Sequence, residues 1–143
     1  MKKYLLILFI LVLALTGCGK KENSLVCSLK VETIDVFMHA DFKDDNLDYL
    51  GLEYQMDLNE YSDSKIELIE NEDMCETVKT SMDDSGLGEA ITNCKQVINE
   101  NKILEITADF DLDKMIDAEI SRKTSVDEII EELSEQGYTC EIK

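Results

Sequence analysis

LVCSLKV (25–31), IDVFMHADF (34–42) and LGLEYQMDL (50–58) are three successive stretches in which every second residue is apolar. Alternation with a period of two is typical of β-strands that bury one face. Lys43 to Asn46 form a polar, turn-like segment between the second stretch and the third. The three stretches therefore predict an antiparallel meander, because short connections join antiparallel neighbours.

The apolar spacing changes to that of an amphipathic helix at about residue 64, where Ser64-Lys-Ile-Glu67 resembles a capping box. One long helix is predicted from there to about residue 82. Its buried side would be formed by Leu68, Cys75, Val78 and Met82. Gly86 and Gly88 follow this helix and end it.

A hairpin is predicted next, from residues 90–98 and 103–110. A short helix is expected over residues 112–120, with Met115 and Ile116 directed inward.

A second capping box, Ser125-Val-Asp-Glu128, predicts a later helix that ends at Gly137, and residues 138–142 form a last strand. The inward side of this helix would be formed by Val126, Ile129, Ile130 and Leu133. We therefore predict an α+β fold with a single antiparallel β-sheet, two main helices packed on one face and two disulfides.

The N-terminus predicts export and a lipid anchor. Lys2 and Lys3 precede twelve apolar residues, 4–15, which are short of the ~20 needed for a transmembrane helix and are typical of a secretory signal. Leu15-Thr16-Gly17-Cys18 matches the lipobox, whose cysteine takes a diacylglyceryl group before cleavage.

We predict a signal peptide over residues 1–17, a lipidated tether over 18–24 and one extracytoplasmic domain over 25–143. Acyl chains such as palmitate on Cys18 would hold the domain on the bacterial cell membrane, because two chains on one residue anchor stably. This location could be the surface of a Gram-positive cell or the periplasm; the sequence is compatible with both.

Four cysteines remain once Cys18 is committed to lipid, in a compartment that permits disulfides. Cys27 and Cys140 each lie on the apolar side of their predicted strands, so we pair them with each other and Cys75 with Cys94. The competing map joins Cys27 to Cys75 and Cys94 to Cys140.

The charge excludes several classes of partner. The chain has 14 basic and 32 acidic side chains; without the two lysines of the leader, 12 basic residues face 32 acidic ones, a formal charge of −20. Nucleic acid is excluded because phosphate binding needs clustered Lys and Arg. A cationic protein or weakly bound calcium suits this charge, and no cofactor is expected.

Two acidic groups are candidate calcium sites. Asp109, Asp111 and Asp113 alternate as on a strand, but the EF-hand positions of glycine and the bidentate acid are occupied by Lys114 and Ile120. We interpret these three residues as a solvated strand face and only a weak metal candidate. The same interpretation applies to a group at a turn, formed by Asp41, Asp44, Asp45 and Asp48.

No catalytic residue is assigned. His39 shares a strand face with Asp35 and Asp41, so a base oriented by a carboxylate can be imagined. Neither Ser28 nor Ser62 lies in a recognisable nucleophile elbow. We expect a protein that is not an enzyme.

The lipobox, the cysteine-containing first strand, the helix between two hairpins and the ending Glu135-Gln-Gly137-Tyr138-Thr-Cys140 together resemble small bacterial lipoproteins of the YehR type. The resemblance covers nearly the whole chain and implies the same fold and address. That family is functionally uncharacterised, so the resemblance implies no catalytic residues. This chain departs from the family in having fewer lysines and the additional pair Cys75 and Cys94.

Three function hypotheses follow. The first is a lipid-anchored, non-enzymatic binding or accessory module of the cell envelope. The second is an acidic inhibitor of a cationic wall-active enzyme such as a lysozyme, in which opposite charge would raise the association rate. The third is an envelope enzyme of unknown activity.

Overall fold

The computed structural model describes residues 22–115 and 120–143. They form an α+β fold with one six-stranded antiparallel sheet, as predicted. The strands are β1 (Glu22–Val31), β2 (Ile34–Lys43), β3 (Asn46–Asp57), β4 (Ile91–Ile98), β5 (Ile103–Phe110) and β6 (Thr139–Ile142). The helices are α1 (Asp63–Asn71), α2 (Met74–Ser81) and α3 (Val126–Glu135).

The strands lie in the order β4-β5-β3-β2-β1-β6. The last strand, β6, therefore pairs with the first, and the β4–β5 hairpin joins the β1–β2–β3 meander through the pairing of β5 with β3. Residues opposite one another in the ladder share a face. One such row across the sheet consists of Cys27, Met38, Leu52 and Ala108. Since alternate residues face alternate sides, this register gathers the apolar residues of the predicted strands on the face that the helices cover.

The predicted long helix is wrong, because the chain is broken between α1 and α2. Glu72 is extended, and the carboxylate of Asp73 accepts a hydrogen bond from the Glu76 amide and so caps a new helix. The side-chain amide of Gln96 on β4 fixes the break: it accepts from the Met74 amide at 2.9 Å and donates to the Glu72 carbonyl at 2.9 Å.

The start and the inward side of α1 also differ from the prediction. The helix begins at Asp63, and its N-cap residue Ser62 makes no side-chain capping bond, so the predicted capping box at Ser64 and Glu67 does not open it. Leu68, predicted to be buried, is 68% exposed. Instead, α1 turns Ile66 and Ile69 toward the core.

The capping box of α3 is confirmed. Ser125 accepts from the Glu128 amide, and the Glu128 carboxylate accepts from the Ser125 amide. At the other end Gly137 has φ +93°, a left-handed conformation that favours glycine. Ile129 and Leu133 pack into the core as predicted.

The helix predicted over residues 112–120 is present only as one 3₁₀ turn, Leu112–Lys114. Asp111 caps this turn by accepting from the Asp113 amide, and Met115 is buried as predicted. The predicted inward position of Ile116 lies outside the described residues.

The signal peptide and the lipidation site Cys18 also lie outside the described residues. β1 begins at Glu22, within the predicted tether, because Asn23 and Ser24 continue the pairing with β2. Within residues 22–115 and 120–143, no helix is long and apolar enough to cross a membrane.

Both predicted disulfides are present, Cys27–Cys140 and Cys75–Cys94. The first joins residues that lie opposite each other on β1 and β6. The second fastens α2 to β4, close to the Gln96 contacts. The competing map is therefore wrong.

Candidate functional site

The sheet has one face covered by helices and one open face. His39 lies on the open face, where its Nε2 is 3.1 Å from a carboxylate oxygen of Glu53. Phe37 lies beside it, with the two ring centroids 6.4 Å apart. His39 thus contacts a carboxylate, as predicted, but the partner is Glu53 on the adjacent strand and not Asp35 or Asp41.

The two serines considered as nucleophiles are not joined to this histidine. The hydroxyl of Ser62 is 3.2 Å from that of Ser64 at the start of α1. Ser28 lies opposite Phe37 in the ladder. Among the described residues, the side-chain hydrogen bond of His39 goes to Glu53. The arrangement orients an imidazole without presenting a hydroxyl nucleophile to it.

Tyr49 and Asp109 form a second polar contact on the open face. The Tyr49 hydroxyl donates to the Asp109 carboxylate at 2.8 Å. The ring lies over Gly51, in the space that a Cβ at that position would occupy, so a larger residue there would displace the Tyr49 ring. Partial burial, then the Asp109 hydrogen bond and the negative charges of Asp109 and Asp41, raise the pKa of Tyr49 to about 12.

The three carboxylates considered as a calcium group do not share a strand face, because β5 ends at Phe110. Asp109 accepts from Tyr49, and Asp111 caps the 3₁₀ turn. Asp113 forms an ion pair with Arg122 at 2.9 Å, which lowers the pKa of that carboxyl. Each carboxylate therefore has a separate structural partner.

The acidic group at the β2–β3 turn also has a structural explanation. Asp44 and Asp45 have φ of +51° and +63°, which is the backbone of a two-residue type I′ hairpin turn. Asp41 accepts from the Ser24 hydroxyl at 2.7 Å. Throughout the described residues, no cluster of three or more His, Cys, Asp or Glu side chains is arranged to hold a metal ion.

An apolar cavity of about 230 Å³ lies between α2 and the helix-covered face of the sheet. It is lined by Ile34, Tyr54, Met56, Met74, Thr77, Val78, Ser81, Leu104 and Ile106. Leu104 and Ile106 are buried, whereas Ile34, Tyr54, Met56 and Met74 are only half-buried because the cavity opens to solvent. Sequence reasoning missed this cavity, since the same alternation predicts a filled core.

The position of the helices explains the cavity. α2 packs on β4, whereas α3 packs on β6 and β1, at the opposite side of the sheet. α2 and α3 therefore lie over opposite sides of the sheet, and no residue of α1 lines the cavity, so the middle strands are incompletely covered there. The lining residues of β2 and β3 lie in that uncovered middle.

Comparison of the chain with protein-family models, with curated proteins and with solved structures found no match.

Proposed function

We propose that this protein is a lipid-anchored, non-enzymatic binding module of the bacterial cell envelope, related to the YehR-type lipoproteins, and that its partner is a cationic protein. The extracytoplasmic address is supported by the sequence Leu15-Thr16-Gly17-Cys18. The partner class is supported by the charge of the folded domain.

The observation that carries the proposal is an excess of carboxylates without basic partners. Of the chain's 32 acidic and 14 basic side chains, two acids and four lysines lie outside the described residues, which leaves 30 acids and 10 bases. Within the described residues, three ion pairs involve Lys or Arg: Lys30–Asp35, Lys102–Asp63 and Arg122–Asp113. Such a surface attracts cations and raises the association rate of a cationic protein.

The tether supports a position close to the membrane. Four peptide units separate Cys18 from Glu22, the first residue of β1, and they reach at most ~14 Å. The N-terminal end of β1 therefore lies near the bilayer.

The anchor is tested with Cys18→Ala in the native host. We expect uncleaved precursor, because without the thiol no diacylglyceryl group is transferred, and loss of acyl label from the protein. Processing and membrane retention like those of the parent would contradict the anchor.

The partner class is tested with the full-length lipidated protein in detergent, immobilised and exposed to a lysozyme as a basic probe and to an acidic protein of similar size as a control. We expect retention of the basic probe at low salt and its release by about 0.5 M salt, because a Debye length of ~3–10 Å then screens exposed charges. Failure to retain any basic protein at low salt would refute the partner class. Loss of lysozyme activity on binding would favour the more specific hypothesis of a wall-enzyme inhibitor.

A further inference from the structure

The cavity under α2 is built to accept an apolar group. Two of the three hydroxyls in its lining are used within the helix: Thr77 donates to the Asp73 carbonyl at 3.3 Å, and Ser81 to the Val78 carbonyl at 2.7 Å. The rest of the lining is aliphatic or aromatic apart from the hydroxyl of Tyr54. A polar ligand group would lose its hydration there with little compensation.

The size of the cavity fits one large side chain. An apolar cavity of ~150 Å³ is large enough to hold benzene. At about 230 Å³, this cavity admits the side chain of a leucine, an isoleucine or a phenylalanine.

The segment of chain that supplies the α2 roof of the cavity is strongly acidic. From Asp63 to Glu89, the segment that forms α1 and α2, nine acidic residues accompany two lysines. One of the nine, Asp63, is paired with Lys102. Of this acidic α1–α2 layer, α2 forms the roof of the cavity, and the negative charge of the layer attracts a basic segment that approaches.

The cavity also lies far from the proposed anchor. Its residues Ile34 and Met56 pair at the end of the β1–β2 hairpin, next to Val31, whereas the tether joins β1 at Glu22. Ten strand residues separate the two ends by about 30 Å at ~3.3 Å per residue. The cavity therefore lies at the end of the sheet away from the tether.

We propose that this cavity binds one large apolar side chain of a basic, amphipathic peptide segment, whose cationic residues contact the acidic α1–α2 layer. This inference rests on the proposed function and adds to it the recognition element of the cationic partner. Charge brings the partner to the surface, and the cavity selects a segment that carries an apolar residue among basic ones.

The test uses two synthetic peptides of equal charge: an amphipathic peptide of leucine and lysine, and one in which every leucine is replaced by alanine. Binding to the full-length lipidated protein in detergent is measured by calorimetry. We expect the leucine peptide to bind about tenfold more tightly, because burying one leucine side chain is worth about one decade in affinity or more.

Two variants of α2 locate the site. Thr77→Leu places a larger side chain in the cavity and should abolish most of the preference for leucine without lowering the melting temperature. Thr80→Leu is the matched control, since Thr80 is also exposed, its hydroxyl also bonds the carbonyl four residues earlier, and it does not line the cavity. Thr80→Leu should keep the preference.

The outcomes separate this inference from the proposed function. Equal binding of both peptides to the parent protein would overturn the cavity's role and leave the cationic partner standing. A preference that survives Thr77→Leu, or is lost equally in Thr80→Leu, would also overturn it. Binding of neither peptide at low salt would refute the proposed function as well.

Discussion

Cys140 lies directly opposite Cys27 in the β1–β6 ladder, and a disulfide joins them across the sheet. Cys27 is fully buried, so the disulfide lies in the core. The edge strand β6 pairs with β1 at only four positions, and the disulfide adds a covalent link between the two strands. The two ends of the domain are therefore fastened to each other.

The two disulfides should differ in their contribution to stability. The Cys27–Cys140 bond spans 113 residues and the Cys75–Cys94 bond 19. Chain entropy predicts a loss of about 5 kcal/mol when the first pair is replaced by serine and about 3 kcal/mol for the second. Urea unfolding of the two double variants measures the difference. A larger loss from the inner pair would contradict this explanation.

The helix caps make a paired prediction. Ser125→Ala removes a capping side chain and should cost about 1 kcal/mol in the free energy of unfolding. Ser62→Ala is the control, because Ser62 occupies the equivalent position of α1 but makes no capping bond. It should change stability by less than about 0.5 kcal/mol. Equal losses in urea unfolding would show that the Ser125 hydroxyl is not the cause.

Tyr49 should make the protein sensitive to alkali. Its pKa of about 12 in the fold lies above the ordinary value of 10.0, so the folded state holds this proton more tightly than the unfolded state. The stabilisation is complete below pH 10 and is lost as the pH rises toward 12. Ultraviolet absorption of tyrosinate follows the titration, and Tyr49→Phe identifies it.

Asp109→Asn should lower this pKa toward 10 without reaching it, because the desolvation of Tyr49 remains. Asp44→Asn at the β2–β3 turn removes the same charge away from the phenol and serves as the control. An unchanged titration in Asp109→Asn would mean that the hydrogen bond at 2.8 Å is not formed in solution.

The strands could be predicted because their signal is local: alternation over residues 25–58 fixes which side chains share a face. The Cys27–Cys140 disulfide followed from the same alternation, which places these residues on one face of neighbouring strands, and Cys75–Cys94 was then the remaining pair. The break between α1 and α2 could not be predicted in this way. Asp73 caps α2 locally, and Gln96, a residue of a later strand, holds the break by binding Glu72 and Met74.

In the candidate site too, local features could be predicted from the sequence, whereas features that depend on distant parts of the chain could not. The apolar character of Ile34, Tyr54 and Met56 was visible in the sequence, but their incomplete covering depends on where α2 and α3 come to lie. Asp109 and Asp111 look equivalent in the sequence. The end of β5 between them gives one a tyrosine partner and the other a capping role.

The last prediction concerns which acidic residues of the domain contribute to binding of the basic peptide. Glu70 lies on α1 and Glu76 on α2, the helix that roofs the cavity, whereas Glu131 and Glu135 lie on α3, and all four are exposed. Glu70→Gln/Glu76→Gln should weaken binding of the leucine and lysine peptide by about three- to tenfold at low salt, since each exposed ion pair is worth about 0.2–1 kcal/mol. Glu131→Gln/Glu135→Gln removes the same charge and should have a clearly smaller effect, because only the long-range field changes. The difference should disappear at about 0.5 M salt, where exposed charges are screened. Calorimetry at both salt concentrations decides the matter: equal losses in the two variants would show that the peptide senses only the net charge of the domain and not the layer beside the cavity.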